Sequence, residues 1–217
     1  MKAKKTPAIL YIEALDNKTK PEDYFIDPNF IKNLPKDVFL TYIIQFKGQA
    51  ETMKKALEAN NIRVRGFQSV LGCSELKTPY PILLIGQGRF HALNLAIQNN
   101  KPVIIYSNGS SIAVGRKEIE EHNKKKQAAL SQFFMKDKIG ILVSTKPGQN
   151  RLKEAEALKK KLEKKYSQKK FFIFISNTLN LYETQNFDVP IYINTACPGL
   201  ALDSPKILNT DDILPFL

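Results

Sequence analysis

Short apolar runs, rich in β-branched residues, alternate with helical patterns along almost the whole of this 217-residue chain. Ala8–Leu15, Val38–Phe46, Ile62–Phe67, Pro81–Ile85 and Pro102–Tyr106 read as strands. Between them lie a short helical piece near Pro28–Leu34, a helix over Gln49–Asn60 with Ala50, Met53 and Leu57 on one side, and another over Arg89–Gln98. Strands that are apolar at consecutive positions are buried on both faces, and helical crossovers between them supply that cover in a parallel sheet. Residues 116–138 contain neither Pro nor Gly, are dense in charge, and read as a long connecting helix. The rhythm then restarts. Ile139–Ser144, Phe171–Ile175 and Val189–Ile193 are expected strands, Arg151–Tyr166 an amphipathic helix, Asn177–Gln185 a helix with Asn177 as N-cap, and Pro205–Leu208 an added edge. The expected fold class is therefore α/β, with two tandem parallel-sheet (Rossmann-like) domains. They cover residues 1–115 and 139–217, joined by the helix 116–138.

An apolar fraction of 43% with 10% aromatics excludes a disordered chain. No apolar run approaches the roughly 18 residues that a membrane-spanning helix needs. The opening MKAKKTPAILYIEAL is basic and then apolar, but no small-residue cleavage site follows; it reads as a strand, and a cytoplasmic location is expected. The net charge of +12 invites a nucleic-acid partner. Of 33 basic residues, however, only Arg63, Arg65, Arg89, Arg116 and Arg151 are Arg. Groove readers favour Arg for its bidentate contacts. Runs such as Lys124–Lys126 and Lys159–Lys161 fit solvated helix faces instead, so direct nucleic-acid binding is not the expectation.

In parallel α/β sheets, ligands gather at the loops leaving the carboxyl ends of strands. Four such loops stand out. Val70-Leu71-Gly72-Cys73-Ser74 follows the third strand and displays Cys73 beside a glycine, although a lone Cys is more often a packing residue. Ile85-Gly86-Gln87-Gly88-Arg89-Phe90-His91 runs from strand into helix. Its two glycines permit close approach of a ligand to the backbone, yet the third glycine of a dinucleotide fingerprint is missing, and His91 could equally be a core or capping histidine. Val143-Ser144-Thr145-Lys146-Pro147-Gly148-Gln149-Asn150 offers Ser, Thr, Lys and Gly ahead of a helix, suited to a carboxylate or phosphate. It lacks P-loop spacing, and an ordinary N-cap with a tight turn explains it as well. Asn194-Thr195-Ala196-Cys197-Pro198-Gly199 places the second cysteine directly after a strand, where Pro198 disfavours helix at Cys197. Each α/β unit thus carries one Cys on a post-strand loop. Such thiolates can converge on one metal centre, and iron–sulfur clusters favour thiolates. A mononuclear zinc site would need further ligands, and neither His is near a Cys in sequence.

The strings VSTKPGQNRLKEAEALKKKLE and NTACP, with LALD after it, resemble the third domain of the diphthamide-forming 2-(3-amino-3-carboxypropyl)histidine synthases. IIQF, VLGCS and GQGRFHAL resemble the middle domain of the same family, in the same order, so the likeness runs from about Ile9 to Leu208. The resemblance implies three similar α/β domains, each donating one Cys to a 4Fe–4S cluster whose open iron binds S-adenosylmethionine. It implies radical transfer of the 3-amino-3-carboxypropyl group to a histidine of translation elongation factor 2, the first step of diphthamide synthesis. By motif position Cys73 and Cys197 match the middle- and third-domain ligands. Ser144, Thr145, Lys146, Gly148 and Gln149, with Gln87 and His91, are the candidates for holding S-adenosylmethionine.

The chain departs from the family pattern in two places. Gly199 and Leu200 stand where an Arg and an Ile are expected after the Cys-Pro pair. Nothing in it matches the family's first domain, so the third thiolate is expected from another chain. The leading expectation is a transferase subunit, a split fragment that works with a first-domain polypeptide and that could itself form a homodimer. The alternatives are a non-catalytic partner of a full-length paralog and a basic RNA-binding α/β protein.

Overall fold

A computed structural model describes residues 24–217; the strand expected at Ala8–Leu15 lies outside the described residues. The first sheet has five strands in the order β2-β1-β3-β4-β5. These are β1 (Asp37–Tyr42), β2 (Arg63–Ser69), β3 (Ile82–Ile85), β4 (Val103–Ser107) and β5 (Ser110–Val114), with helix α1 (Pro28–Lys32) ahead of β1 and helices α2 (Lys47–Ala59) and α3 (Arg89–Asn99) between strands. The pairings β1–β2, β1–β3 and β3–β4 are parallel. All four residues of β3 are buried, as a central parallel strand requires. Leu40, Leu83, Ile85 and Tyr106 pack with Ala50, Met53 and Leu57 of α2, the helix face expected from its spacing. Each buried Leu, Ile or Met side chain among these contributes about 1.5–3 kcal/mol from removal of apolar surface from water.

Two features differ from expectation. The apolar run beginning at Val38 leaves the sheet at Tyr42: Ile43 N–H donates to Ile85 C=O, and Ile44–Phe46 coil into a single 3₁₀ turn. Ile44 and Phe46 stay packed against the core, so the run is apolar throughout although only its first part is strand. Second, β5 pairs antiparallel with β4. Asn108 (φ 45°) and Gly109 (φ 80°) make the hairpin, because both central residues of such a turn need positive φ.

The second sheet is fully parallel, in the order β7-β6-β8-β9. It comprises β6 (Lys138–Ser144), β7 (Lys170–Ser176), β8 (Ile191–Asn194) and β9 (Ile207–Asn209), with α5 (Leu152–Lys165) between β6 and β7. Its core includes Ile139, Ile141, Val143, Leu158, Leu162, Ile191, Ile193 and Leu208. The helix α4 (Arg116–Met135) adds Ala129, Leu130 and Phe133 to that core. Lys169, only 7% exposed, donates from Nζ to the carbonyls of Phe134 and Lys136, a cation satisfying the carboxyl end of α4. The short helices α6 (Leu200–Asp203) and α7 (Thr210–Ile213) flank β9, which forms the edge expected near Pro205–Leu208.

The helix expected over Asn177–Gln185 is absent; that segment holds only the 3₁₀ turn Glu183–Asn186. Asn180 Oδ1 accepts from Tyr182 N–H and Ser176 Oγ donates to Thr178 C=O, so local side-chain bonds set turns where helix would need its own ladder. The chain divides into two compact units. One runs through Leu71 and includes Leu76–Ala92 and Lys101–Val114; the other comprises Gly72–Glu75, Leu93–Asn100 and Gly115–Leu217.

Candidate functional site

After β2, Val70 is buried and its N–H donates to Tyr42 C=O. The chain then turns outward. Leu71 is 62% exposed and Cys73 is an exposed free thiol. Two side chains of α3 hold the backbone on either side of it. Asn94 Nδ2 donates to Gly72 C=O at 2.9 Å, and Gln98 Nε2 donates to Ser74 C=O at 2.8 Å.

The loop from β3 into α3 needs both of its glycines. Gly86 (φ 155°) donates to Tyr106 C=O, and a Cβ there would stand 2.7 Å from Ile43 Cδ1. Gly88 (φ 86°) faces open space, so only its backbone conformation demands glycine. Gln87 is exposed and His91 half-buried, edge-on to Phe90 at 5.6 Å. Burial pushes the His91 imidazole below its ordinary value of 6.5, which favours the neutral ring.

The loop after β6 is a turn and not a helix start. Ser144 is buried; its Oγ accepts Lys146 N–H at 3.1 Å and donates to Asn177 C=O at 3.4 Å. Thr145 donates its N–H to Ser176 C=O and its Oγ1 to Asn177 Oδ1 at 3.5 Å. Asn177, expected as a helix cap, therefore ties the loop after β7 to the loop after β6. Helix α5 begins only at Leu152, whose N–H is accepted by Asn150 Oδ1, so Gly148 and Gln149 lie in the preceding turn. The structure brings Ser144, Thr145 and Lys146 together in one turn, with Lys146 and Gly148 exposed.

Cys197 is a free thiol of intermediate exposure on the loop after β8. Asn194, 3% exposed, is its organiser. Asn194 Nδ2 donates to Cys197 C=O at 2.7 Å and to Asn209 Oδ1 at 2.8 Å, while its Oδ1 accepts Ala196 N–H at 2.9 Å. Thr195 is buried and donates both its N–H and its Oγ1 to Leu142 C=O. Asn209 Nδ2 reaches Pro198 C=O at 3.2 Å. Asn94, Gln98, Asn194 and Asn209 were not among the candidates from sequence; Asn194 alone lies inside a recognised string, NTACP.

The family profile for diphthamide synthesis proteins matches residues 4–207. The chain belongs to that family. A 2-(3-amino-3-carboxypropyl)histidine synthase of Pyrococcus horikoshii is 30% identical over 185 residues, covering 80% of this chain and 53% of the relative. The same enzyme of Methanocaldococcus jannaschii is 31% identical over 196 residues, covering 86% of this chain and 53% of the relative. The crystal structure of Dph2 from Pyrococcus horikoshii superposes with a TM-score of 0.73 at 27% identity, covering 85% of this chain and 58% of that one. A second crystal structure of that protein, with a 4Fe–4S cluster, gives a TM-score of 0.72 at the same identity. The chain spans about half the length of the curated relatives it matches.

The donor chemistry of the two cysteine loops fits a share of an iron–sulfur centre. Both thiols are free, each sits on a loop that leaves the carboxyl end of a strand, and thiolates are the ligands such clusters take. Among the described residues no group of three or more His, Cys, Asp or Glu could hold a metal ion, so a full ligand set is not assembled there.

Proposed function

We propose that this chain supplies the middle and third modules of a 2-(3-amino-3-carboxypropyl)histidine synthase that acts in the cytoplasm. Cys73 and Cys197 are two of three thiolate ligands of a 4Fe–4S cluster, and a first-module polypeptide supplies the third. The observation that carries this reading is the pair of free cysteines, each on a post-strand loop within a family string. When bound, the cluster supplies the electron that cleaves the sulfur–γ-carbon bond of S-adenosylmethionine, so that the 3-amino-3-carboxypropyl group passes to a histidine of translation elongation factor 2.

This chain's own residues then bind and orient the cosubstrate. The exposed Lys146 ammonium and the turn Ser144–Gln149 hold the α-carboxylate, a charge-assisted contact of the stronger kind. Gln87 and His91, whose imidazole burial shifts toward the neutral ring, are further candidates for polar contact with the cosubstrate on the strength of their family string.

The test is anaerobic iron and sulfide quantification on the full chain, alone and co-expressed with a first-module polypeptide. The expected result is little cluster alone and a brown, S-adenosylmethionine-cleaving assembly together. Cys73→Ala and Cys197→Ala should each abolish the cluster. Failure of every first-module partner to restore an iron–sulfur band would overturn the proposal. An assembly that stays fully active with both cysteines of this chain replaced would make it a supporting subunit of a complete relative.

A further inference from the structure

Both cysteine loops are gripped by side-chain carboxamides on the backbone carbonyls next to the thiol. At the first loop, Asn94 and Gln98 stand one turn apart on the same face of α3. Their NH₂ groups take Gly72 C=O and Ser74 C=O, the carbonyls immediately before and after Cys73. Fixing both neighbours fixes the direction in which the Cys73 side chain leaves the backbone. At the second loop, Asn194 takes the carbonyl of Cys197 itself and Asn209 takes that of Pro198. Asn194 and Asn209 are joined to each other, and Asn209 is held in turn by its N–H to Asp212 Oδ2 at 2.9 Å. Asp212 Oδ1 meets Lys126 Nζ of α4 at 2.5 Å. The bracing therefore runs from α4 to the Cys197 carbonyl through a continuous polar chain.

We propose that Asn94, Gln98, Asn194 and Asn209 are positioning residues that set the two thiols for metal binding. The proposal rests on the reading of Cys73 and Cys197 as cluster ligands. A carboxamide is suited to this work. It donates two protons, so it can hold a carbonyl, yet it brings no charge beside an anionic cluster and is itself a poor competitor for iron. A lysine in its place would donate as well but would add a cation, and a carboxylate would set oxygen against oxygen. Ligands held in place before the metal arrives bind it without first having to order a loop, and groups that orient ligands commonly alter affinity by 10–100-fold on mutation.

The experiment uses the full chain and reads the loops with and without metal. Asn94→Asp and Gln98→Glu, singly and together, keep shape and lose the donor. In the iron-free protein, hydrogen exchange across residues 70–76 should quicken on the order of tenfold in the double variant, with the strands of both sheets unchanged. In the assembly with a first-module polypeptide, iron uptake at limiting iron should weaken by at least tenfold, and the electron-paramagnetic signature of the reduced cluster should shift, while the melting temperature stays near that of the parent. Asn209→Asp should do the same to residues 195–199. Unchanged exchange in the loops of these variants, or changed exchange with unaltered iron uptake and signature, would overturn the proposal. A parent chain that binds no iron in any assembly would instead overturn the cluster reading, and the iron-free exchange would still show whether the carboxamides hold the loops.

Discussion

The two cysteine loops are held by the same kind of bond in different surroundings. Around Cys197 the bracing is part of the core: Asn194 and Thr195 are 3% and 5% exposed, Thr195 bonds Leu142 C=O of β6, and Asn194, the last residue of β8, bonds the loop that follows it. Around Cys73 the thiol is exposed and the bracing comes from two half-buried side chains of α3. A hydrogen bond in water replaces another of nearly equal worth, whereas a buried polar group left alone pays its full desolvation cost. The second loop should thus be coupled to global stability, and the first should be adjustable without it.

Asn194→Ala is the most severe test of that contrast. It strands Ala196 N–H at a buried position and Cys197 C=O and Asn209 Oδ1 at part-buried ones, and a loss of roughly 2–4 kcal/mol in urea unfolding is expected. Thr195→Val keeps shape and removes one buried bond to Leu142 C=O; about 1–2 kcal/mol is expected by the same measurement. Asn94→Ala should cost less than about 1 kcal/mol of global stability while loosening residues 70–76 in hydrogen exchange. Equal costs for Asn94→Ala and Asn194→Ala would break the comparison.

The smallest expected effect is a pH dependence of the braced side. Burial holds His122 of α4 below its ordinary value of 6.5; Lys126 and Lys125 push the same way, and Asp212 opposes them. Its folded value is the lower one, so the unfolded chain takes up the proton first. His122 is without effect on stability well above pH 6.5, and stability falls as pH drops below it. Melting curves from pH 7.5 down to 5 should therefore fall less steeply in His122→Gln than in the parent. An identical slope would remove His122 as the cause.

Much of the architecture was legible because parallel sheets write themselves as unbroken apolar runs. Ile82–Ile85 and Ile139–Ser144 are buried at nearly every position and stand out in the sequence for that reason. The exceptions have local causes. Ile44 and Phe46 are apolar because they pack from a 3₁₀ turn, so composition overstates β1. Strand β5 is exposed at most positions and its apolar run is only Ile112–Val114, although Asn108–Gly109 is a hairpin signal. Residues 177–185, expected as a helix, carry two Asn and two Thr and hand their hydrogen bonds to Asn180 and Ser176. The thiols could be picked out from loop position and family strings. The carboxamides that hold them could not, since Asn94 and Gln98 are ordinary polar residues on a helix until the fold sets Gly72 and Ser74 beneath them.

The brace on Cys197 also has an order in time. Asn209 lies 15 residues after Asn194 in the chain, and it reaches back only once β9 has paired with β8. During synthesis the Cys197 loop leaves the ribosome with Asn194 but before Asn209, the residue that braces both. Parallel pairing of this kind closes late because its loop must be ordered before any contact repays it. The fully braced loop therefore belongs to the finished unit, and a nascent chain halted before Asn209 would hold Cys197 by Asn194 alone.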